Sequence, residues 1–187
     1  MKKERLLITS FIFLLFCMVV QAQRMDITKH PGYIDLEDIK IPDSAEEITD
    51  IDLGPALLAL ARLGSEDEDE DISKGLAGIL SIRVKSYEIG YDEVEKIRPV
   101  MDKLEKKLKE EGWERLVRTR RRDEFTNISM KIVEGKIVGF FLMSVEPGEE
   151  VTFANVVGGN IDLESIKNFG MGLNDSALDS LKKIKEY

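Results

Sequence analysis

The central part of the chain alternates between apolar and polar side chains with a period of two residues. In Phe125–Val133, Thr126, Ile128, Met130 and Ile132 form one set, and Asn127, Ser129 and Lys131 form the other. Successive side chains of a β-strand point to opposite faces of its sheet. The pattern therefore predicts a strand with one buried face and one solvated face.

Three neighbouring segments extend this strand into a predicted four-stranded meander. Glu134-Gly135 is a two-residue link typical of a β-hairpin. Pro147-Gly148 suits the centre of a type II turn. The third strand is apolar on both faces, so we expect it to be central, and Gly139 within it indicates close approach by a neighbouring element. The predicted strands are Trp113–Arg122, Phe125–Val133, Lys136–Val145 and Val151–Val157.

Two segments before the meander have helical periodicity. Asp92–Glu111 carries an apolar stripe at spacings of three and four, and Gly112 follows in the usual place for a left-handed cap. Pro99 either kinks this helix or marks its true first turn. Pro55–Leu63 is apolar around most of its circumference, which is typical of a buried helix. The stripe of the long helix consists of Val94, Ile97, Met101, Leu104 and Leu108.

A further strand is predicted over Ile79–Ile89, and Glu47–Leu53 is a candidate short strand. In the strand Ile79–Ile89, the inward-facing side chains are predicted to be Leu80, Ile82, Val84 and Ser86. Ser81, Arg83 and Lys85 would then face solvent. Helices are expected to begin at Asp162 and Asn174. Strands outnumber crossovers, so we predict an α+β fold: a mainly antiparallel sheet of about five strands with helices packed on one face.

The first 22 residues have the features of a secretory signal peptide. A basic start is followed by the apolar run Leu6–Val20, and Val20-Gln21-Ala22 offers a cleavage site before Gln23. An uncleaved anchor and lipidation at Cys17 are less favoured alternatives, because the run is short and Phe16 is bulky. We expect export to an extracytoplasmic space, with no integral membrane segment after cleavage.

Residues 23–187 are expected to form one domain without cysteine, whose stability comes from its core. Residues 23–52 are a polar N-terminal lead. The formal charge of the whole chain is −9, and removing Lys2, Lys3, Glu4 and Arg5 with the leader takes away a net +2, leaving −11. This acidity argues against nucleic-acid binding, which depends on basic residues that neutralise phosphates.

Residues 65–73 form an acidic loop with two interpretations. A solvated loop held open by its own repulsion is favoured. A cation site is the alternative, although the turn glycine and the late bidentate Glu of a calcium loop are missing. Its ligands would be Glu66, Asp67, Asp69 and Asp71.

The first strand of the meander is rich in arginine, and alternation places Arg118, Arg120 and Arg122 on one face. These residues could line a solvated face or protect a sheet edge, since charge discourages stray strand pairing. They could also bind an acidic partner or a lipid phosphate, because a guanidinium group binds such anions with two hydrogen bonds. A contact with the acidic loop is a third interpretation.

The sequence lacks most of the residue combinations that enzymes use for catalysis. His30, the sole histidine, lies beside Pro31 in an expected loop, and a structural or exposed role is favoured over catalysis. Apart from the alternative interpretation of the acidic loop, nothing in the sequence indicates a cofactor or a metal centre.

Four segments together resemble an exported bacterial family, domain of unknown function 4252. The resemblance covers nearly all of the chain after the leader. It implies an exported bacterial protein, in the periplasm or another extracytoplasmic space, without bringing an established activity or catalytic residues. The segments are His30–Asp35, Leu53–Ala61, Ile82–Val84 after the acidic loop, and Gly159–Leu163.

Three functions remain open on the sequence. The favoured one is a non-enzymatic envelope protein that binds another protein or an amphiphile with its sheet. A hydrolase using paired carboxylates and a cation-dependent module using the acidic loop are the alternatives. Oligomeric state and partner identity do not follow from the sequence.

Overall fold

The computed structural model describes residues 25–43, 45–65 and 76–162. Its centre is a six-stranded sheet in the order β1-β2-β6-β5-β4-β3, in which every neighbouring pair is antiparallel. The strands are β1 Glu46–Leu53, β2 Ile79–Glu88, β3 Glu114–Arg121, β4 Glu124–Val133, β5 Lys136–Val145 and β6 Glu150–Gly158. The helices are α1 Pro55–Ser65 and α2 Val94–Glu110, with 3-10 turns at Ile27–Lys29 and Tyr91–Glu93.

The meander and the strand predicted before it are confirmed, and both enter one sheet. Glu134 and Gly135 have φ angles of 51° and 73°, as a two-residue hairpin requires. At the next turn, Gly148 has a φ of 78° and the Glu149 N–H donates to the Glu146 carbonyl over 3.0 Å. The candidate strand near the N-terminus forms β1, so the sheet has six strands where about five were predicted.

Helix α2 packs through the predicted stripe, whose five residues are all buried. Gly112 ends it in a left-handed conformation with a φ of 76°. The Trp113 N–H donates to the Leu108 carbonyl over 2.9 Å, and the Gly112 N–H donates to that of Lys109 over 3.1 Å. These two bonds define a Schellman cap. Pro99 lies inside the helix, so it does not mark the first turn.

The sheet has two faces, each with its own apolar cluster. The front face carries Phe141, Met143 and Phe153 and packs against α2. The back face carries Ile82, Phe140 and Val156 and packs against Leu58 of α1. The prediction that helices pack on one face is therefore not confirmed, since the two described helices contribute to opposite clusters.

Helix α1 is exposed where burial was predicted. Leu58 is 2% exposed, whereas Leu57, Leu60 and Leu63 are 53%, 65% and 66% exposed. An apolar circumference indicates burial only when neighbouring elements surround the helix. Among the described elements, α1 lies mainly against β1 and β2.

A segment of residues 32–39, here called the N-terminal strap, crosses the front face. It lies against β5 at Gly139, where a Cβ atom would come within 2.6 Å of the Gly32 Cα atom. The predicted close approach at Gly139 is thus confirmed. Asn155 of β6 fixes the strap: its Oδ1 accepts from the Ile34 N–H over 2.9 Å, and its Nδ2 donates over 3.0 Å to the carbonyls of Gly32 and Phe140.

The strap also overturns one prediction about the front face. Arg83 and Lys85 were placed on a solvated face, but they are 7% and 5% exposed, and Ser81 beside them is buried. Likewise, Asn127 and Ser129 of β4 are buried although they were predicted to be solvated. Strand periodicity separates two faces correctly but does not show which elements cover each face.

One row of the back face consists entirely of hydroxyl side chains. The strand registers place them side by side across all six strands. In sheet order they are Thr49, Ser86, Thr152, Ser144, Thr126 and Thr119. Thr126 and Ser144 hydroxyl oxygens lie 3.3 Å apart. Cross-strand hydroxyl pairs of this kind stabilise a sheet modestly.

Several predicted features lie outside the described residues: the signal peptide, the acidic loop beyond Ser65 and the helices expected after Asp162. Within the part of the chain that is described, neither helix has the length and apolarity needed to cross a membrane.

Candidate anion-binding groove

A β-bulge in β3 brings Arg115 to the front face, beside Arg118 and Arg120. Arg118 and Arg120 pair with Asn127 and Phe125, both front-face residues, as alternation predicts. The register shifts between Arg115 and Val117, and Arg115 pairs with Ser129, which also faces the front. Simple alternation would place Arg115 on the back, because it lies an odd number of residues from Arg118.

Arg118, Arg120 and Arg122 line one cleft of about 230 Å³ between α2 and the β3–β4 hairpin. Its apolar lining comes from α2, β4 and β5: Val94, Met101, Phe125 and Val145. Its remaining polar lining comprises Arg98, Asp102, Asp123 and Glu124. The cleft thus offers guanidinium groups beside an apolar surface.

A second, wider cleft of about 540 Å³ shares Asp102 and Arg118 with the first. Together they form a groove between α2 and β3. Seven cations and four carboxylates line this groove, although the whole chain carries a net charge of −9. The cations are Arg98, Lys106, Lys109, Arg115, Arg118, Arg120 and Arg122.

Trp113, the only tryptophan in the chain, lines the second cleft and is 6% exposed. Its indole N–H has no hydrogen-bond partner among the described residues. The side chain lies against Gly139, close to the crossing of the strap. Trp113 therefore provides a natural fluorescent reporter for the groove.

Glu105 of α2 holds the inner end of the arginine row in place. Its Oε2 atom lies 3.8 Å from both the Arg115 and Arg118 guanidinium groups, too far for a hydrogen bond. Its Oε1 atom accepts from Asn127 Nδ2 over 2.6 Å. Arg118 also lies over the Phe125 ring, 5.7 Å from its centroid. These contacts orient Arg118 without using its hydrogen-bonding capacity fully.

Arg120 and Arg122 form no ion pair with any residue in the described ranges. Arg122 lies in the two-residue turn between β3 and β4 with a φ of 55°, a left-handed conformation that glycine adopts more easily. The other three arginines of the groove, Arg98, Arg115 and Arg118, each form an ion pair with Glu95 or Glu105.

A second charged cluster, around Arg83 and Lys85, was not found from the sequence. Arg83 donates to the Tyr33 hydroxyl over 2.7 Å and lies 3.3 Å from both Glu37 and Asp52. Lys85 donates to the Leu36 carbonyl over 3.1 Å. Because both cations are neutralised by the strap and by β1, this cluster holds the fold together.

The acidic-loop residues and His30 are the remaining candidates from the sequence. Glu66, Asp67, Asp69 and Asp71 lie outside the described residues. The described residues contain no group of three or more His, Cys, Asp or Glu side chains that could hold a metal ion. His30 accepts at Nδ1 from the Gly32 N–H over 3.2 Å, and burial lowers the pKa of its imidazole, which fits a structural role in positioning the strap.

Comparison with known proteins identifies the family but no activity. No curated protein and no solved structure matches the chain significantly. A family model described as a domain of unknown function, DUF4252, matches residues 43–169, which include all six strands and both described helices. The chain therefore belongs to the DUF4252 family.

Proposed function

We propose that this protein is a non-enzymatic binding module of the bacterial envelope, exported through residues 1–22, and that its groove binds an anionic ligand. The observation that carries the proposal is the pair Arg120 and Arg122: both line the cleft, and neither has an ion-pair partner among the described residues. An unpaired guanidinium group can donate two parallel hydrogen bonds to a carboxylate or phosphate.

The surroundings of these arginines favour an anion attached to an apolar body. Val94, Met101, Phe125 and Val145 lie beside the guanidinium groups in the same cleft. The low dielectric of an apolar wall strengthens the attraction between a guanidinium group and an anion. A protein segment and an amphiphile both present this chemistry.

Trp113 fluorescence offers a direct test with the whole processed chain. Titration with decyl phosphate below its micelle concentration should change the emission of Trp113 and saturate, and calorimetry should give the same affinity. Decyl maltoside and decyltrimethylammonium, which share the chain but lack the negative charge, should bind at least about tenfold more weakly. The affinity for decyl phosphate should also fall as salt is added.

Two neighbouring residues supply a matched pair of variants. Arg120→Gln removes a front-face cation, and Arg121→Gln makes the same change on the opposite face of β3. Arg120→Gln should weaken binding about tenfold, as expected for a lost charged hydrogen bond, and Arg121→Gln should change it less than about twofold. Equal binding of the neutral and anionic amphiphiles, or equal losses in both variants, would refute the proposal.

A further inference from the structure

We propose that the free edge of β3 accepts an extended acidic segment of a partner protein as an additional strand. This inference rests on the proposed function, because it gives the anionic ligand of the groove a definite form. β3 stands last in the sheet order and pairs only with β4. Its outward N–H and C=O groups have no strand partner among the described residues, and an extended peptide can bind such an edge through main-chain hydrogen bonds.

The front face of β3 specifies negative charge in the added strand. Arg118 and Arg120 project from alternate positions on that face. Directly opposite residues in an antiparallel pair have Cβ atoms about 4.5–5.5 Å apart, so each arginine would face one side chain of the new strand. Glu or Asp at alternate positions would then meet one guanidinium group each. Arg122, in the turn beyond β3, lines the same cleft as these two arginines.

The back face of β3 specifies which residues alternate with the acidic ones in the added strand. Val117 and Thr119 occupy it, Val117 half-buried and Thr119 exposed. Aliphatic or β-branched side chains opposite them would extend the apolar back-face cluster, to which Val117 belongs. The expected partner segment therefore alternates acidic and β-branched residues over about five to seven positions, the length of an ordinary strand.

The same charges disfavour pairing of this edge with itself. A second copy of β3 would place arginine against arginine on the front face, and like charges directly opposite each other destabilise a strand pair. Arginines therefore protect the edge against self-association while leaving it open to an acidic strand. Charge complementarity thus favours a different, acidic partner over another copy of this chain.

Three fluorescent peptides of equal length and charge test the inference by anisotropy. The first is Glu-Val-Glu-Thr-Glu-Val-Glu, the second places the four Glu residues in one block, and the third is the first with alternate backbone N-methyl groups on its pairing side. The first should bind roughly tenfold more tightly than either of the others, because only it has both the charge spacing and the main-chain donors. Binding should also slow amide hydrogen exchange in Glu114–Arg121.

Variants of β3 complete the test with the full processed chain. The double change Arg118→Gln/Arg120→Gln should weaken the first peptide by roughly tenfold or more, and Arg121→Gln by less than about twofold. Equal melting temperatures of the variants would show that each has folded.

Two outcomes would overturn the inference, and they bear differently on the proposed function. If all three peptides bind equally, or if only decyl phosphate binds, the groove recognises anions but strand addition is wrong. If neither decyl phosphate nor any peptide binds, both proposals fail.

Discussion

Gly32 and Gly139 meet where the strap crosses β5, and the two backbones lie closer there than any side chain would allow. A Cβ atom on Gly139 would lie 2.6 Å from the Gly32 Cα atom and 2.8 Å from the Trp113 ring. Gly139 therefore sets the distance between strap and sheet, and the sequence indicated its role correctly.

Replacing Gly139 with alanine should destabilise the protein by about 1–3 kcal/mol, the usual cost of overpacking a buried contact. Gly54→Ala is the matched control, since a Cβ atom there has no neighbour within 4 Å. Urea unfolding followed by circular dichroism measures both. Equal stability of the Gly139 variant and the parent would contradict the close approach.

Tyr87 is fully buried at the centre of the front cluster, and its hydroxyl has no hydrogen-bond partner among the described residues. Burial raises the pKa of Tyr87 to about 12, and the nearby Glu93 charge acts in the same direction. Because the folded-state pKa lies above the unfolded value of about 10, this group adds stability that is complete below about pH 10. That stability is lost as the pH rises through about 12.

Tyr87→Phe should therefore make unfolding less sensitive to alkali. The free energy of unfolding should fall less between pH 10 and 12 than in the parent, by up to about 2–3 kcal/mol. Tyr91→Phe, at a ring that is 79% exposed, is the control and should leave the pH profile unchanged. Identical profiles for the Tyr87 variant and the parent would disprove the linkage.

The position of Arg115 could not be predicted from strand alternation. Alternation identified Arg118, Arg120 and Arg122 as neighbours, and all three do line one cleft. Arg115 joins them only because Leu116 is the extra residue of a bulge. A bulge depends on how a strand fits its neighbour, which the sequence of one strand does not encode.

At the scale of elements, the strap has the largest effect that the sequence did not reveal. Arg83 and Lys85 have the alternation of a solvated strand face, yet the strap brings Asp35 and Glu37 over them. Buried cations are tolerated where carboxylates converge, and this convergence comes from a segment about 50 residues earlier in the chain. Hydrophobic periodicity, by contrast, located β4 and the buried stripe of α2 because both depend on local spacing.

Removing the Arg83 charge should loosen the strap. Arg83→Met should cost about 1–2 kcal/mol, less than a fully buried pair, because Asp35, Glu37 and Asp52 are 44–66% exposed and can rehydrate. It should also speed hydrogen exchange at the Ile34 amide. Arg98→Met, which breaks a pair with the exposed Glu95, should change stability by no more than about 0.5 kcal/mol.

If exchange at Ile34 were unchanged in Arg83→Met, the Arg83 contacts would not hold the strap. The hydrogen bonds of Asn155 to Gly32 and Ile34, and that of Lys85 to Leu36, would then fix it.

At the scale of the whole molecule, the front face is organised as a charge gradient across the sheet. At the β1–β2 end, Arg83 and Lys85 are matched by carboxylates. The middle strands β5 and β6 contribute apolar residues and Asn155. At the β3 end, arginines outnumber their acidic partners. This asymmetry places the available positive charge on one edge of an acidic protein.

The proposed export can be tested on the whole chain. Expressed with its leader in a two-membrane bacterium, the protein should accumulate outside the cytoplasm and begin at Gln23, as N-terminal sequencing and intact mass would show. Ala22→Arg should block cleavage, because the peptidase needs a small residue before the cut. Recovery of full-length protein starting at Met1 would contradict export by this route.

The most direct test of the anion-binding groove is side-chain NMR of the arginine Nε–Hε groups during titration with decyl phosphate. The signals of Arg118, Arg120 and Arg122 should shift together and saturate at one site, and that of Arg121 on the opposite face should stay in place. Shifts of equal size at Arg121, or no shift at the three groove arginines, would contradict the account.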